Sequence, residues 1–374
     1  MAKRASDNGS GDVLSRRALN RATLARQLLL AREDRSPEET IEHLVGMQAQ
    51  VPTNPYVALW SRLDGFRPDD LGALVTERRV VRIALMRSTI HLVTARDCME
   101  LRPLVQPILD RSLQGNFHRH LDGLDVDAVV AAGRTLVEEQ PLTFSRLGAS
   151  LAERWPGREP LALTQVVRAR VPLVQVPPRG VWGLSGQATH TSAEAWLGRS
   201  LAAEPSVDDL VLRYLGAFGP AGVMDVQTWS GLTRLREVVD RLRPRLRTYR
   251  DEHGKELFDL PHAPRPDPDT PAPPRLLPEY DNVLLAHADR SRFMAEDGPV
   301  LAESMFWHGA VLVDGCLLGT WDLTRARGAA TLVVRPFARL RRQDREALGD
   351  EATRLLEFAA ADAKARNIRL DPPV

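Results

Sequence analysis

Lysine is nearly missing from this chain of 374 residues: Lys3, Lys255 and Lys364 are the three, and every other basic residue among the 50 is arginine. So few amines leave little room for Schiff-base chemistry. Cysteine is scarcer still, with Cys98 and Cys316 alone, too few and too scattered for a disulfide framework or a zinc cluster. A reducing cytoplasm suits such a chain. No apolar run approaches the roughly 20 residues that span a bilayer, so no membrane partner is expected. Residues 1–12 are polar and lack an apolar centre, which fits a disordered leader rather than a signal peptide.

Net charge is only +1, which says nothing for or against nucleic acid; its distribution says more. Between Arg234 and Arg250 stand seven arginines against Glu237 and Asp240. Arg78, Arg79, Arg82 and Arg87 cluster ahead of His91. Such clustering on a neutral protein is what a phosphate-binding face looks like, although each cluster alone reads equally as a solvated helix face. The composition, 43% hydrophobic and 26% charged, is that of a globular protein, and the length allows two or three domains.

The stretch Gly46-Met47-Gln48-Ala49-Gln50-Val51-Pro52 stands out. Residues 38–45 have amphipathic helical spacing, and Pro52 and Pro55 disfavour helix just before them, so the two glutamines fall at a turn. Tyr56, Leu59, Trp60 and Leu63 then resume helical spacing, giving the outline of a helix-turn-helix. Residues 79–87 and 89–93 read as two strands of a hairpin; helices followed by a two-stranded wing make a winged helix.

The same order recurs twice. Helices over 126–139, 144–154 and 161–169 precede a wing of 172–176 with 180–183. Helices over 207–218, 223–229 and 232–242 precede one of 246–249 with 256–258. Residues 261–275 hold seven prolines and read as an extended linker. Beyond them the pattern turns to β, with Asp314-Gly315 as a hairpin signal, residues 324–328 as a second, basic tip, and a helix over 344–365. The expected organisation is α+β: a leader (1–12), three tandem winged helix-turn-helix units (13–122, 123–204, 205–260), the linker (261–275) and a β-rich C-terminal region with its closing helix (276–374).

The stretches GMQAQVPTNPYVALWSRLDGF, VRIALMRSTIHLVTARD, DVQTWSGL, LLPEYDNVLLAHADRSR and VLVDGCLLGTWDL resemble the AlkZ/YcaQ family of winged-helix DNA glycosylases across residues 13–365. The resemblance implies three winged helices around a concave basic face for duplex DNA. It also implies catalysis by a Gln–apolar–Gln signature, here Gln48 and Gln50, and removal of N-alkylated purines, including those in interstrand crosslinks, as repair or self-resistance to a DNA-alkylating natural product. Solvating a turn is the other role open to these amides. An N3- or N7-alkylpurine is cationic and leaves as a neutral base, so what remains is to place a water at C1′ and stabilise a cationic sugar. A glutamine carbonyl can accept from that water. No lysine lies near the pair, which argues for a monofunctional enzyme without a lyase step.

Arg87, His91, Arg234, Arg236, Arg245, Arg247, His287 and Arg290 are candidate DNA contacts, and Arg325 and Arg327 a candidate groove probe. For His91 a core position, and for His287 and Arg290 a structural salt bridge, are the alternatives. His118, His120 and Asp122 lack further ligands at useful spacing, so no metal or cofactor is expected. The expected partner is double-stranded DNA carrying alkylated purines, bound by a monomer. The competing reading is a winged-helix transcriptional regulator without chemistry. Regulators of that kind usually dimerise on two half-sites, and three units in one chain leave little need for that.

Overall fold

A computed structural model describes residues 12–295 and 307–373; the expected leader falls almost wholly outside them. Capping residues set the first helices. Ser15 accepts from the Ala18 N–H at 3.1 Å to start Arg16–Arg26, and Ser36 with Glu39 forms a capping box at the head of Pro37–His43, each satisfying donors that the helix leaves unpaired. Helices Asn54–Trp60 and Pro68–Thr76 follow, then the antiparallel strands Val80–Ala84 and Ile90–Thr94. After helices Ala95–Leu104 and Gln106–Leu121, the helices Val126–Glu139, Phe144–Arg154 and Pro160–Arg170 lead into Leu173–Gln175.

Leu173–Gln175 pairs with Thr189–Ser192, not with residues 180–183. The backbone of 180–183 is held instead by local turns, Val181 N–H to the Pro178 carbonyl and Leu184 N–H to the Val181 carbonyl. The Tyr56 hydroxyl also holds it, donating to the Gly180 carbonyl at 2.8 Å and accepting from the Trp182 N–H at 3.0 Å. The hairpins of the first two helix groups join edge to edge, with Arg82 opposite Gln175 and Ile83 opposite Val174. The result is a six-stranded sheet running Met47–Gln48, Ile90–Thr94, Val80–Ala84, Leu173–Gln175, Thr189–Ser192, Leu142–Thr143.

A third helix group, Val207–Phe218, Val223–Ser230 and Leu235–Leu242, precedes the hairpin Arg247–Asp251 and Glu256–Asp259. Val13–Leu14 adds a parallel strand to its edge. Across that junction Arg26 and Asp259 form a two-pronged ion pair at 2.6 and 2.8 Å with both side chains at 0% exposure. Asp259→Ala would strand a buried guanidinium, and a loss of about 3–5 kcal/mol is expected from urea melts.

The C-terminal region is a five-stranded sheet of Arg275–Leu277, Gly309–Val313, Cys316–Ala326, Ala329–Pro336 and Ala365–Leu370. The closing helix is shorter than its pattern suggests, Arg342–Ala359, because the chain turns back as a strand parallel to Ala329–Pro336. Its apolar side joins Trp60, Phe66 and Leu276 in one buried cluster, with Phe358 stacked against Trp60. The same cluster takes in Met47 and Ala49 of the glutamine stretch and Val311, Trp321 and Leu332 of the C-terminal sheet.

Candidate active site

Val45 and Gly46 adopt left-handed backbone, at φ +56° and +86°, and turn the chain sharply out of Pro37–His43. A Cβ on Gly46 would lie 2.5 Å from the Val93 side chain, so glycine is what allows this close approach. The turn delivers Met47 opposite Leu92 and Gln48 opposite His91. The Gln–apolar–Gln spacing follows the burial: Met47 and Ala49 enter the core, while Gln48 is half-buried and Gln50 exposed. The pair thus occupies a short strand and the bend after it, rather than a helix-turn-helix turn alone. Ala49 is held at both ends, its N–H donating to the Ile90 carbonyl at 2.8 Å and its carbonyl accepting from Arg82 at 2.7 Å.

The two amides differ in their ties. Gln50 is exposed, and its Oε1 accepts from the Ile90 N–H at 3.3 Å. Gln48 is half-buried, and its Oε1 accepts from Arg87 Nη2 at 2.8 Å. Only the carbonyl oxygen can face a guanidinium, so this bond fixes which way the amide points. Arg87 sits in the tight turn of the wing at φ +55° and donates its other Nη to the Trp229 carbonyl at the end of Val223–Ser230. Burial, and then the charge of Arg290, push its pKa down to about 10, leaving it a cation at neutral pH. His91, the cross-strand neighbour of Gln48, is fully buried, with Nδ1 against the Thr89 carbonyl at 3.0 Å. Burial and the charge of Arg87 push its pKa to about 3, so it is neutral.

A segment more than two hundred residues away closes the site. The Asn282 side-chain N–H donates to the Gly46 carbonyl at 2.9 Å, and Asn54 donates to the Glu279 carbonyl at 2.9 Å, so residues 279–282 bracket the glutamine stretch at both ends. Between them Asp281 makes a buried two-pronged pair with Arg62, at 2.8 and 2.9 Å. Gln48, Glu279 and Asn282 line one small cavity. The glutamine pair is marked in the sequence by its motif; the packing of this second wall against it is not.

A family model described as DNA glycosylase AlkZ-like matches residues 41–358. The chain belongs to that family. The matched span encloses the whole site just described. A curated relative from Streptomyces sahachiroi, named "Interstrand DNA cross-link repair glycosylase", is 24% identical over 364 residues, covering 88% of this chain and 92% of its own length. The solved structure of Streptomyces sahachiroi DNA glycosylase AlkZ superposes with a TM-score of 0.71 at 21% identity, covering 96% of this chain and all of that one; at this identity the likeness speaks for the fold. This AlkZ-like chain is therefore a DNA glycosylase of mixed α and β structure, and DNA is its substrate.

Within this AlkZ-like fold the expected DNA contacts scatter. His91 and His287 lie in the interior at 0% and 1% exposure, so neither offers an edge to DNA in this conformation. His287 bonds the Phe218 carbonyl at 3.0 Å, and burial brings its pKa to about 3. Arg87 bonds Gln48, and the charge of Arg290 acts on Arg87. Arg234, Arg245 and Arg247 are exposed; Arg236 is exposed but pairs with Asp240 and Glu256. Arg325 is tied to Asp362, whereas Arg327 is exposed at the hairpin turn, at φ +49°. That hairpin continues beyond the Gly309–Trp321 rung, at the end of the sheet where the chain leaves Leu277 for Glu279. Among the described residues no three His, Cys, Asp or Glu side chains gather as metal ligands would, and no helix is long and apolar enough to cross a membrane.

Proposed function

We propose that the chain is a monofunctional glycosylase that excises cationic N3- and N7-alkylpurines from duplex DNA, with Gln48 and Gln50 as its catalytic residues. The observation that carries this reading is the presence of both glutamines at a tied strand end, with Gln48 held by Arg87 and Gln50 exposed beside the Ile90 N–H. A cationic purine already carries the charge that weakens its C1′–N bond. The enzyme has then to orient a water and tolerate positive charge on the sugar, and a held amide does the first by positioning. The relative's name, "Interstrand DNA cross-link repair glycosylase", supports extending the substrates to crosslinked purines. The three groups of helices and hairpin, with boundaries at 13–122, 123–204 and 205–260, act as three winged helices around the DNA. The C-terminal region (276–374) adds the Arg327 tip as a groove probe. One chain suffices for binding, and two free cysteines suit a cytoplasmic protein.

The direct test is incubation with duplex containing N7-methylguanine, followed by alkaline cleavage at abasic sites. Strand breaks above spontaneous depurination support the reading; none for any cationic lesion would return the chain to a binding role. Duplex affinity should be electrostatic and indifferent to sequence, supplied by Arg234, Arg245, Arg247 and Arg327. Log Kd against log salt should have a slope magnitude of about 0.9 per phosphate neutralised. A salt-independent affinity, or preference for one palindrome, would favour a regulator.

A further inference from the structure

We propose that Glu279 is a further catalytic residue of this reaction, its carboxylate taking the proton of a water that the Gln48 amide N–H and the Asn282 carbonyl oxygen hold in place. The proposal rests on the glycosylase reading above and starts from a difficulty within it. One lone pair of the Gln48 carbonyl is spent on Arg87, and that bond leaves the Gln48 amide with its N–H₂ as the outward group. An N–H₂ donates to the oxygen of a water and cannot take its protons. The carbonyl's second lone pair can accept a hydrogen bond, but an amide oxygen is too weak a base to keep a proton, so a proton acceptor has to come from elsewhere.

The cavity beside Gln48 supplies one. Its volume is about 10 Å³, at the lower limit for a single water. Asn282 is 6% exposed and spends its amide nitrogen on the Gly46 carbonyl, while its Oδ1 has no partner. A buried acceptor left unpaired is costly, and here it borders a water-sized space. Two acidic residues line the same space. Asp281 is committed to Arg62. Glu279 is half-exposed, with no arginine or lysine in ion-pair range among the described residues.

Burial, together with the neighbouring Asp322, raises the Glu279 pKa above the usual carboxylate range, against the opposing pull of Asn54 and His308; this makes it a better base. The groups facing it are Asp322 and His308 on the C-terminal sheet, Tyr280 and the Asp281–Arg62 pair on its own side, and Asn54 across the cleft. In the reaction the water oxygen bonds to C1′ as the C1′–N bond breaks. The electron pair of that bond stays on the purine and cancels its positive charge. The proton lost by the water passes to Glu279 and then to solvent.

The test is single-turnover release of N7-methylguanine from duplex by the full chain, Glu279→Gln, Glu279→Asp and Gln48→Ala, with duplex Kd, melting temperature and rate against pH. Glu279→Gln should be slower by about 100-fold or more, with Kd and melting temperature held and the acid limb of the pH profile lost; Glu279→Asp should recover part of the rate. Glu279→Gln at full rate with its acid limb intact, beside an inactive Gln48→Ala, overturns the role of Glu279 and leaves the glycosylase reading standing. Equal losses of rate, duplex binding and melting temperature in both Glu279 variants also overturn it, as a structural effect. Wild-type protein inactive on every cationic lesion overturns the glycosylase reading itself.

Discussion

Alanine at both Gln48 and Gln50 should bring release of N7-methylguanine down to spontaneous depurination while leaving duplex affinity nearly intact. Neither amide is part of the core. Gln50 is exposed and Gln48 half-buried, and the backbone between them is pinned independently through Ala49. Truncation therefore removes the reacting groups without dissolving the strand that carries them. Affinity comes chiefly from phosphates and should survive. A positioned catalytic group is worth about 10²–10⁴-fold, and two that orient the same water need not add independently. The singles should differ in kind. Gln48→Ala deprives Arg87 of an acceptor within the site, whereas Gln50→Ala gives up one long bond to the Ile90 N–H. Persistent excision by the double variant, in the same alkaline-cleavage assay, would move the chemistry away from this strand.

The contrast between these residues and their partners shows what the chain's order makes readable. Helices Val126–Glu139, Phe144–Arg154 and Val207–Phe218 start and stop where amphipathic spacing and local capping place them, because those determinants lie within a few residues. Residues 180–183 read as a strand on content alone, yet local turns and Tyr56, far off in sequence, take up that backbone. The strand Ala365–Leu370 has no buried face and hence no alternation to betray it; its pairing with Ala329–Pro336 is the only thing that makes it a strand. Fusion of two hairpins into one sheet through Arg82–Gln175 leaves no local mark either. At the site, Gln48 and Gln50 are legible through their motif. The Arg87 clasp, the Asn282 brace and Glu279 depend on how separate segments pack, and the stretch that holds the last two carries no spacing that announces chemistry.

Charge on the base should decide what this enzyme cuts, by a wide margin. Around Gln48 lie a protonated guanidinium spent on bracing, a histidine kept neutral by burial, and a carboxylate whose proposed task is to receive a proton. None is placed to give a proton to a departing neutral base. His91 is fully enclosed, and a pKa near 3 leaves it nothing to donate at neutral pH. A neutral base such as uracil or 8-oxoguanine must be protonated, or leave as an anion, and forgoing that help costs about 10²–10⁴-fold in rate. N7-alkylguanine and N3-alkyladenine need no such proton, because alkylation has already supplied the charge. Bulk on the alkyl group should matter less, since the cavity beside Gln48 holds about one water and the rest of the adduct must lie outside it. Side-by-side excision from matched duplexes should therefore show rapid loss of N7-methylguanine and larger N7 adducts, with uracil and 8-oxoguanine at background. Comparable release of uracil would mean that a proton donor reaches the base, and Glu279, with its raised pKa, would be the first residue to retest as an acid instead of a base.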